Sequence, residues 1–130
     1  MNEYFMNLAV EEAKKAFKNN EVPVGAVIVK DNKVISKAYN KKEKDKLVTS
    51  HAELLAIMKA SKKLNNWRLD GCDIYITLEP CPMCASAIKQ ARISNIYCEL
   101  NNLDSENIKI IKCILKSDIL YYFYYTTYCK

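Results

Sequence analysis

The chain has 130 residues, half of them hydrophobic, with 20 basic against 15 acidic residues and a formal net charge of +5. That length fits one domain with a hydrophobic core of its own, and two Gly and three Pro exclude a collagenous or low-complexity chain. The positive excess is compatible with a nucleic-acid partner without requiring one.

No apolar run approaches the roughly 18 residues of a membrane span. The N-terminal stretch carries Glu3, Glu11 and Glu12 and lacks the basic start and apolar core of a secretory signal. The cytoplasm is therefore the expected compartment. Six cysteines are many for that compartment, where disulfides are rare. A chain with its own core has no need of a disulfide framework, so metal ligation is the first reading for at least some of them.

Residues 3–19 read as an amphipathic helix, with Phe5, Leu8, Ala9, Glu12, Ala13 and Ala16 at spacings of three and four. Asn19, Asn20 and Pro23 end it. Residues 24–29 and 34–39 are short runs rich in β-branched residues, separated by the polar turn Asp31-Asn32, and predict an antiparallel hairpin. Residues 40–50 form a lysine-rich loop, either simply solvated or able to steer phosphates. A helix follows from His51 to Leu64, with Leu54, Leu55, Met58 and Leu64 giving the helical period. Ser50 and Glu53 have the spacing of a capping box. Trp67 and Leu69 are expected to plug the end of this helix.

Cys72–Leu78 reads as a central strand, Cys81–Ala91 as a helix with Ala85, Ile88 and Ala91 inward, and Asn95–Glu99 as a strand. Strands reached after a helix run parallel. The expectation is a single α/β domain, a mixed sheet with helices on both faces.

His51 begins one helix, and Cys81 and Cys84 begin another. Cysteines three apart at a helix start can aim both sulfurs at one point, where the dipole and free N–H groups stabilise thiolates. One imidazole and two thiolates suit zinc, and three protein ligands leave a position for water, as in catalytic sites. Cys72 lies at the far end of the strand that leads to Cys81, roughly 20 Å away by strand rise. Cys98 and Cys113 read as sheet positions and Cys129 is penultimate, so a closed four-ligand site is not expected.

His51-Ala52-Glu53 followed by Pro80-Cys81-Pro82-Met83-Cys84 resembles the H-x-E and P-C-x-x-C pattern of zinc nucleobase deaminases. Residues 20–29, 66–72, 77–88 and 91–93 extend this likeness to the cytidine/deoxycytidylate deaminase superfamily, and within it to bacterial tRNA-specific adenosine deaminases. The resemblance covers roughly residues 3 to 99. It implies a three-layer α/β/α cytidine-deaminase-like fold with about five strands, residues 1–130 forming a single deaminase domain with an atypical C-terminal part. It further implies one zinc per chain on His51, Cys81 and Cys84, with water or hydroxide as fourth ligand. Glu53 would shuttle protons during conversion of adenosine to inosine at the wobble position of a tRNA anticodon. Asn40, Val24, Ala26, Leu78 and Glu79 would line the substrate site. The resemblance also implies a homodimer, to which the helix around Met83, Ile88 and Ala91 could contribute.

The likeness fades after Leu100. No glycine follows Gly71, and residues 101–130 hold four lysines against three acidic residues. Seven residues separate Leu100 from the Ile-rich run 108–115. They are too few for a parallel crossover, so a fifth strand there should be antiparallel; a helix over 104–115 is the other reading. The tyrosine-rich stretch 117–128 resembles a closing aromatic helix. Two other functions stay open on this ground: deamination of a free base or nucleoside (guanine, cytosine or cytidine), and an RNA-binding partner subunit with little activity of its own.

Overall fold

The structure is a computed structural model that describes residues 2–99 and 110–112. In chain order the elements are α1 (Glu3–Lys18), β1 (Gly25–Lys30), β2 (Lys33–Tyr39), α2 (Lys42–Asp45), α3 (Ala52–Leu64), β3 (Cys72–Ile76), α4 (Pro82–Gln90), β4 (Asn95–Glu99) and β5 (Ile110–Lys112). The strands form one sheet in the order β2-β1-β3-β4-β5. β1 runs antiparallel to β2 and β3, β3 and β4 are parallel, and β5 is antiparallel to β4.

The hairpin turns on Asp31 and Asn32, whose φ values of 51° and 60° are those of the two-residue turn that matches strand twist. The Cys72–Ile76 strand is central, as expected, and the parallel β3–β4 pair follows from the helix between them. The fifth strand pairs antiparallel over 110–112. The rest of the 101–130 expectations, including the tyrosine-rich helix, Cys113 and Cys129, lie outside the described residues.

Alternation along the inner strands assigns the two faces. Val27, Val29 and Tyr75 point to one side, where Phe5, Met6 and Ala9 of α1 cover them. Ala26, Ile28, Ile74 and Ile76 point to the other, under α3 and α4. This is the mixed three-layer arrangement anticipated from the sequence. No helix among the described residues is long and apolar enough to cross a membrane.

Three local expectations give way to different packing. The buried stripe of α3 is Ala52, Ala56 and Ala60, all fully buried, while Met58 is 54% exposed. Small side chains let the helix backbone approach the sheet, and Ser36 Oγ donates to the Ala56 carbonyl at 2.8 Å across that contact. Leu55 and Leu64 pack at its margin. Trp67 is 61% exposed, with the Arg68 guanidinium over its ring at 5.5 Å. Leu69 alone is the plug, buried and tied by its N–H to the Ala91 carbonyl at 2.7 Å. Ile88 and Ala91 belong to the core, so neither is available for a subunit contact.

The tightest packing is between α1 and β1. A Cβ on Gly25 would lie 2.0 Å from the Ala9 carbonyl oxygen and 2.6 Å from the Ala13 nitrogen. Both contacts are backbone atoms of a helix and cannot yield cheaply. The Gly25 N–H is further held by Thr77 Oγ1 at 3.1 Å. Gly25→Ala should therefore cost about 3 kcal/mol or more, the upper range for overpacking. Thermal unfolding of the purified variant should show a midpoint at least about 8 °C lower; an unchanged midpoint would contradict this packing.

Candidate metal centre

His51 and Cys81 occupy equivalent places. Each is the residue just before a helix, in extended conformation, with no side-chain capping bond. Their side chains are thus free to turn toward each other. Pro82 fits the first turn of α4 because its missing N–H would have no helical partner there. Cys84 follows one turn on, which places both sulfurs over the same helix start.

His51 Nδ1 lies 3.7 Å from Cys81 Sγ and 3.4 Å from Cys84 Sγ. All three ligand atoms fall within 4.8 Å of one another. Nitrogen and sulfur ligands around a tetrahedral zinc are separated by about 3.6 Å, so the donor set fits that ion in type and spacing. Cys72, buried and with a free thiol, is not part of this group; Cys98 is disulfide-bonded. The three-ligand reading of the sequence matches this placement.

The protonation pattern prepares the group for a cation. The Cys81 thiol is pushed down to about 4, first by a hydrogen bond from Cys84 and further by His51 and the Cys84 backbone N–H. Cys84, as the donor and buried, is pushed well up. His51 is raised by its bond to Cys81. A dication replacing the shared proton would meet two thiolates and an imidazole, with no net charge left over.

Glu53 is buried beside this group, 4% exposed, in the first turn of α3. Burial raises its carboxyl above the ordinary range, and its side chain hydrogen-bonds with Cys84. It does not act as half of a capping box. Ser50 Oγ instead donates to Asp45 Oδ2 at 2.9 Å, because His51, not Ser50, is the residue before the helix.

The other predicted site residues are distributed unevenly. Leu78 and Glu79 lie half-buried in the segment between β3 and Cys81, and burial raises the Glu79 carboxyl. Val24 is half-buried at the start of β1. Ala26 is fully buried in the core beneath α3 and has no surface for a ligand. Asn40 is buried: its Nδ2 donates to the Val22 carbonyl at 3.3 Å and its Oδ1 accepts from the Lys42 N–H at 3.0 Å, which leaves a second N–H and a second lone pair on the amide. Sequence spacing missed the link from Glu21 to the lysine-rich loop and the Ser50–Asp45 bond within it. No local pattern marks Glu21, because its bonds span more than twenty residues.

The layered sheet with a His-Cys-Cys group at two helix starts defines a zinc-binding domain of the deaminase class. Residues 1–100 match the family described as the cytidine and deoxycytidylate deaminase zinc-binding region, and the chain belongs to that family. It is 52% identical over 94 residues to a tRNA-specific adenosine deaminase of Aquifex aeolicus, covering 72% of this chain and 62% of the relative. Its identity to the Bacillus subtilis tRNA-specific adenosine deaminase is 45%, over 73% of this chain and 59% of that protein. The chain thus spans about three-fifths of the length of these relatives. A solved structure from studies of A-to-I editing by tRNA:A34 deaminases aligns with a TM-score of 0.75 and 45% identity, covering 77% of each chain. A guanine deaminase from Bacillus subtilis aligns with a TM-score of 0.72 and 41% identity, over 75% of this chain and 64% of the other.

The site predicts its own metal content. The zinc-loaded protein should contain about one zinc per chain, and Cys81→Ser or Cys84→Ser should lower this to less than about a tenth after dialysis, since each removes one of only three protein ligands. Elemental analysis of the folded variants measures it; retention of a full equivalent in both would show that the metal sits elsewhere.

Proposed function

We propose that the chain is a zinc-dependent hydrolase that converts adenosine to inosine at the wobble position of a tRNA anticodon, acting in the cytoplasm as a homodimer. Residues 1–130 are read as one deaminase domain. The observation that carries this reading is the buried Glu53 carboxyl beside His51, Cys81 and Cys84. The likeness to proteins named tRNA-specific adenosine deaminases supports the choice of substrate. Exposed Met58 and half-buried Met83 give the dimer its apolar surface.

In this reading His51, Cys81 and Cys84 hold the zinc, which when bound supplies an activated water for attack on C6 of adenine. Glu53 takes the proton released by the attacking water. It delivers that proton to the ring nitrogen, then takes the proton of the new C6 hydroxyl as the carbonyl forms and passes it to the departing amine, which leaves as ammonia. Its burial serves both steps, because a carboxyl raised from its usual range gives and takes protons closer to neutral pH. A wobble base is already unpaired in the anticodon loop, so little stacking or pairing is lost when it enters the site.

A second reading is deamination of free guanine. It draws on the likeness to the Bacillus subtilis guanine deaminase and on the antiparallel fifth strand. One assay separates the two: zinc-loaded protein offered an anticodon stem-loop with wobble adenosine, and separately guanine. Inosine should form in the stem-loop and guanine should be left intact. Glu53→Gln should lower the rate at least about a hundredfold while zinc content stays at one equivalent. Conversion of guanine alone would overturn the tRNA reading, and an active Glu53→Gln protein would overturn the proton-carrier role.

A further inference from the structure

Glu21 is a buried carboxylate, 5% exposed, that the chemistry above does not use. It stands between α1 and β1, where its own N–H is bonded to the Ala16 carbonyl at 3.0 Å. Its two oxygens reach across to α2. Oε1 accepts from the Lys44 N–H at 2.8 Å and Oε2 from the Glu43 N–H at 3.1 Å. α2 has only four residues, far too few to be stable alone. The carboxylate satisfies two N–H groups that the short helix leaves without partners.

The rest of this loop is closed at its base. The Lys41 N–H bonds the Ser50 carbonyl at 2.9 Å, and Ser50 Oγ bonds Asp45 at 2.9 Å. Ser50 immediately precedes His51. Asn40 ties the same loop to Val22. The loop is therefore pinned to the approach to β1 and closed on itself up to Ser50, the residue before His51. Lys42, Lys44 and Lys46 project from it, all exposed, and no ion pair among the described residues engages them. The Lys41–Ser50 bond, one residue before His51, places this end of the loop beside the metal centre.

We propose that Glu21 is a positioning residue for substrate binding: by holding α2, it fixes Lys42, Lys44 and Lys46 as a rim that receives the phosphates of an RNA whose base enters beside His51. The inference rests on the tRNA reading for the nature of the substrate. Lysines on a free loop would lose side-chain and backbone freedom on binding. On a loop already held, that ordering has been done during folding, and the phosphate contacts go into affinity.

The test uses the zinc-loaded full chain and a labelled anticodon stem-loop. Glu21→Gln keeps the size of the side chain but leaves only one oxygen to accept, so one of the two α2 N–H groups loses its partner. Trypsin should then cut after Lys42, Lys44 or Lys46 about tenfold faster, as for a locally opened segment. The Kd for the stem-loop should rise about tenfold while kcat at saturating RNA stays within about threefold, the signature of lost binding that is equal in ground and transition states. Lys44→Ala/Lys46→Ala, both exposed positions, should raise Kd similarly and flatten the salt dependence of log Kd by about 1.4 to 1.8 units of slope. Should Glu21→Gln not fold, Glu21→Asp replaces it, being one methylene too short to reach both N–H groups.

Unchanged trypsin cleavage in Glu21→Gln would overturn the positioning role. Faster cleavage with unchanged Kd, or an unchanged Kd in the double lysine variant, would overturn the phosphate rim. Tight binding of the stem-loop without inosine formation would instead count against the catalytic reading and leave the rim intact.

Discussion

Everything functional in this domain depends on two helix starts meeting. His51 ends the lysine-rich loop and opens α3; Cys81 ends the segment after β3 and opens α4. His51 Nδ1 comes within 3.7 Å of Cys81 Sγ and 3.4 Å of Cys84 Sγ. That contact requires each helix to lie at a set depth on the sheet. The alanine stripe of α3 sets one depth, since Ala52, Ala56 and Ala60 allow a close approach that leucines would prevent. The buried Ile88, packed with Ile74 and Ile76, fixes the other helix. The sheet is held against α1 at Gly25 with no space to spare. The spacing of the ligands is thus inherited from backbone packing and not from the ligands themselves.

The same arrangement explains why a carboxyl can be buried next to thiols. Placing Glu53 in the first turn of α3 surrounds it with helix N–H groups, an imidazole and a group ready to accept a cation. An isolated buried carboxylate would be unfavourable. Here the cost is offset by the local dipole and by the positive charge that a bound metal contributes.

Much of the fold was legible because its signals are local. The Asp31-Asn32 turn, the β-branched runs beside it and the apolar isoleucines of β3 specify a hairpin and a central strand from neighbouring residues alone. The metal ligands were legible for a different reason: His, Cys and Cys at two helix starts are rare enough in combination to point to one chemistry. What escaped was set by contacts distant in sequence. Trp67 looks like a core plug, yet the smaller Leu69 takes that place and leaves the indole outside. Ser50 has a capping-box spacing to Glu53, but the helix begins one residue later and the hydroxyl turns back to Asp45.

The metal centre alone does not select a substrate. Similar frames, with TM-scores of 0.75 and 0.72, belong to solved structures named for tRNA A34 editing and for guanine. A His-Cys-Cys group with a nearby carboxyl can hydrolyse an amino group from either kind of ring. Discrimination must then come from what surrounds the opening. A free base needs hydrogen-bonding walls and no counter-charge, whereas a nucleotide within RNA carries a phosphate on each side and is held largely by cations. The loop leading to His51 carries four lysines over residues 41–46, and a buried carboxylate and two backbone ties keep it in one conformation. Ordering a cationic loop against its own repulsion has a use if an anion is to be met there. For a neutral purine that ordering would be wasted, so the rim, more than the zinc ligands, is the part of this domain that argues for RNA.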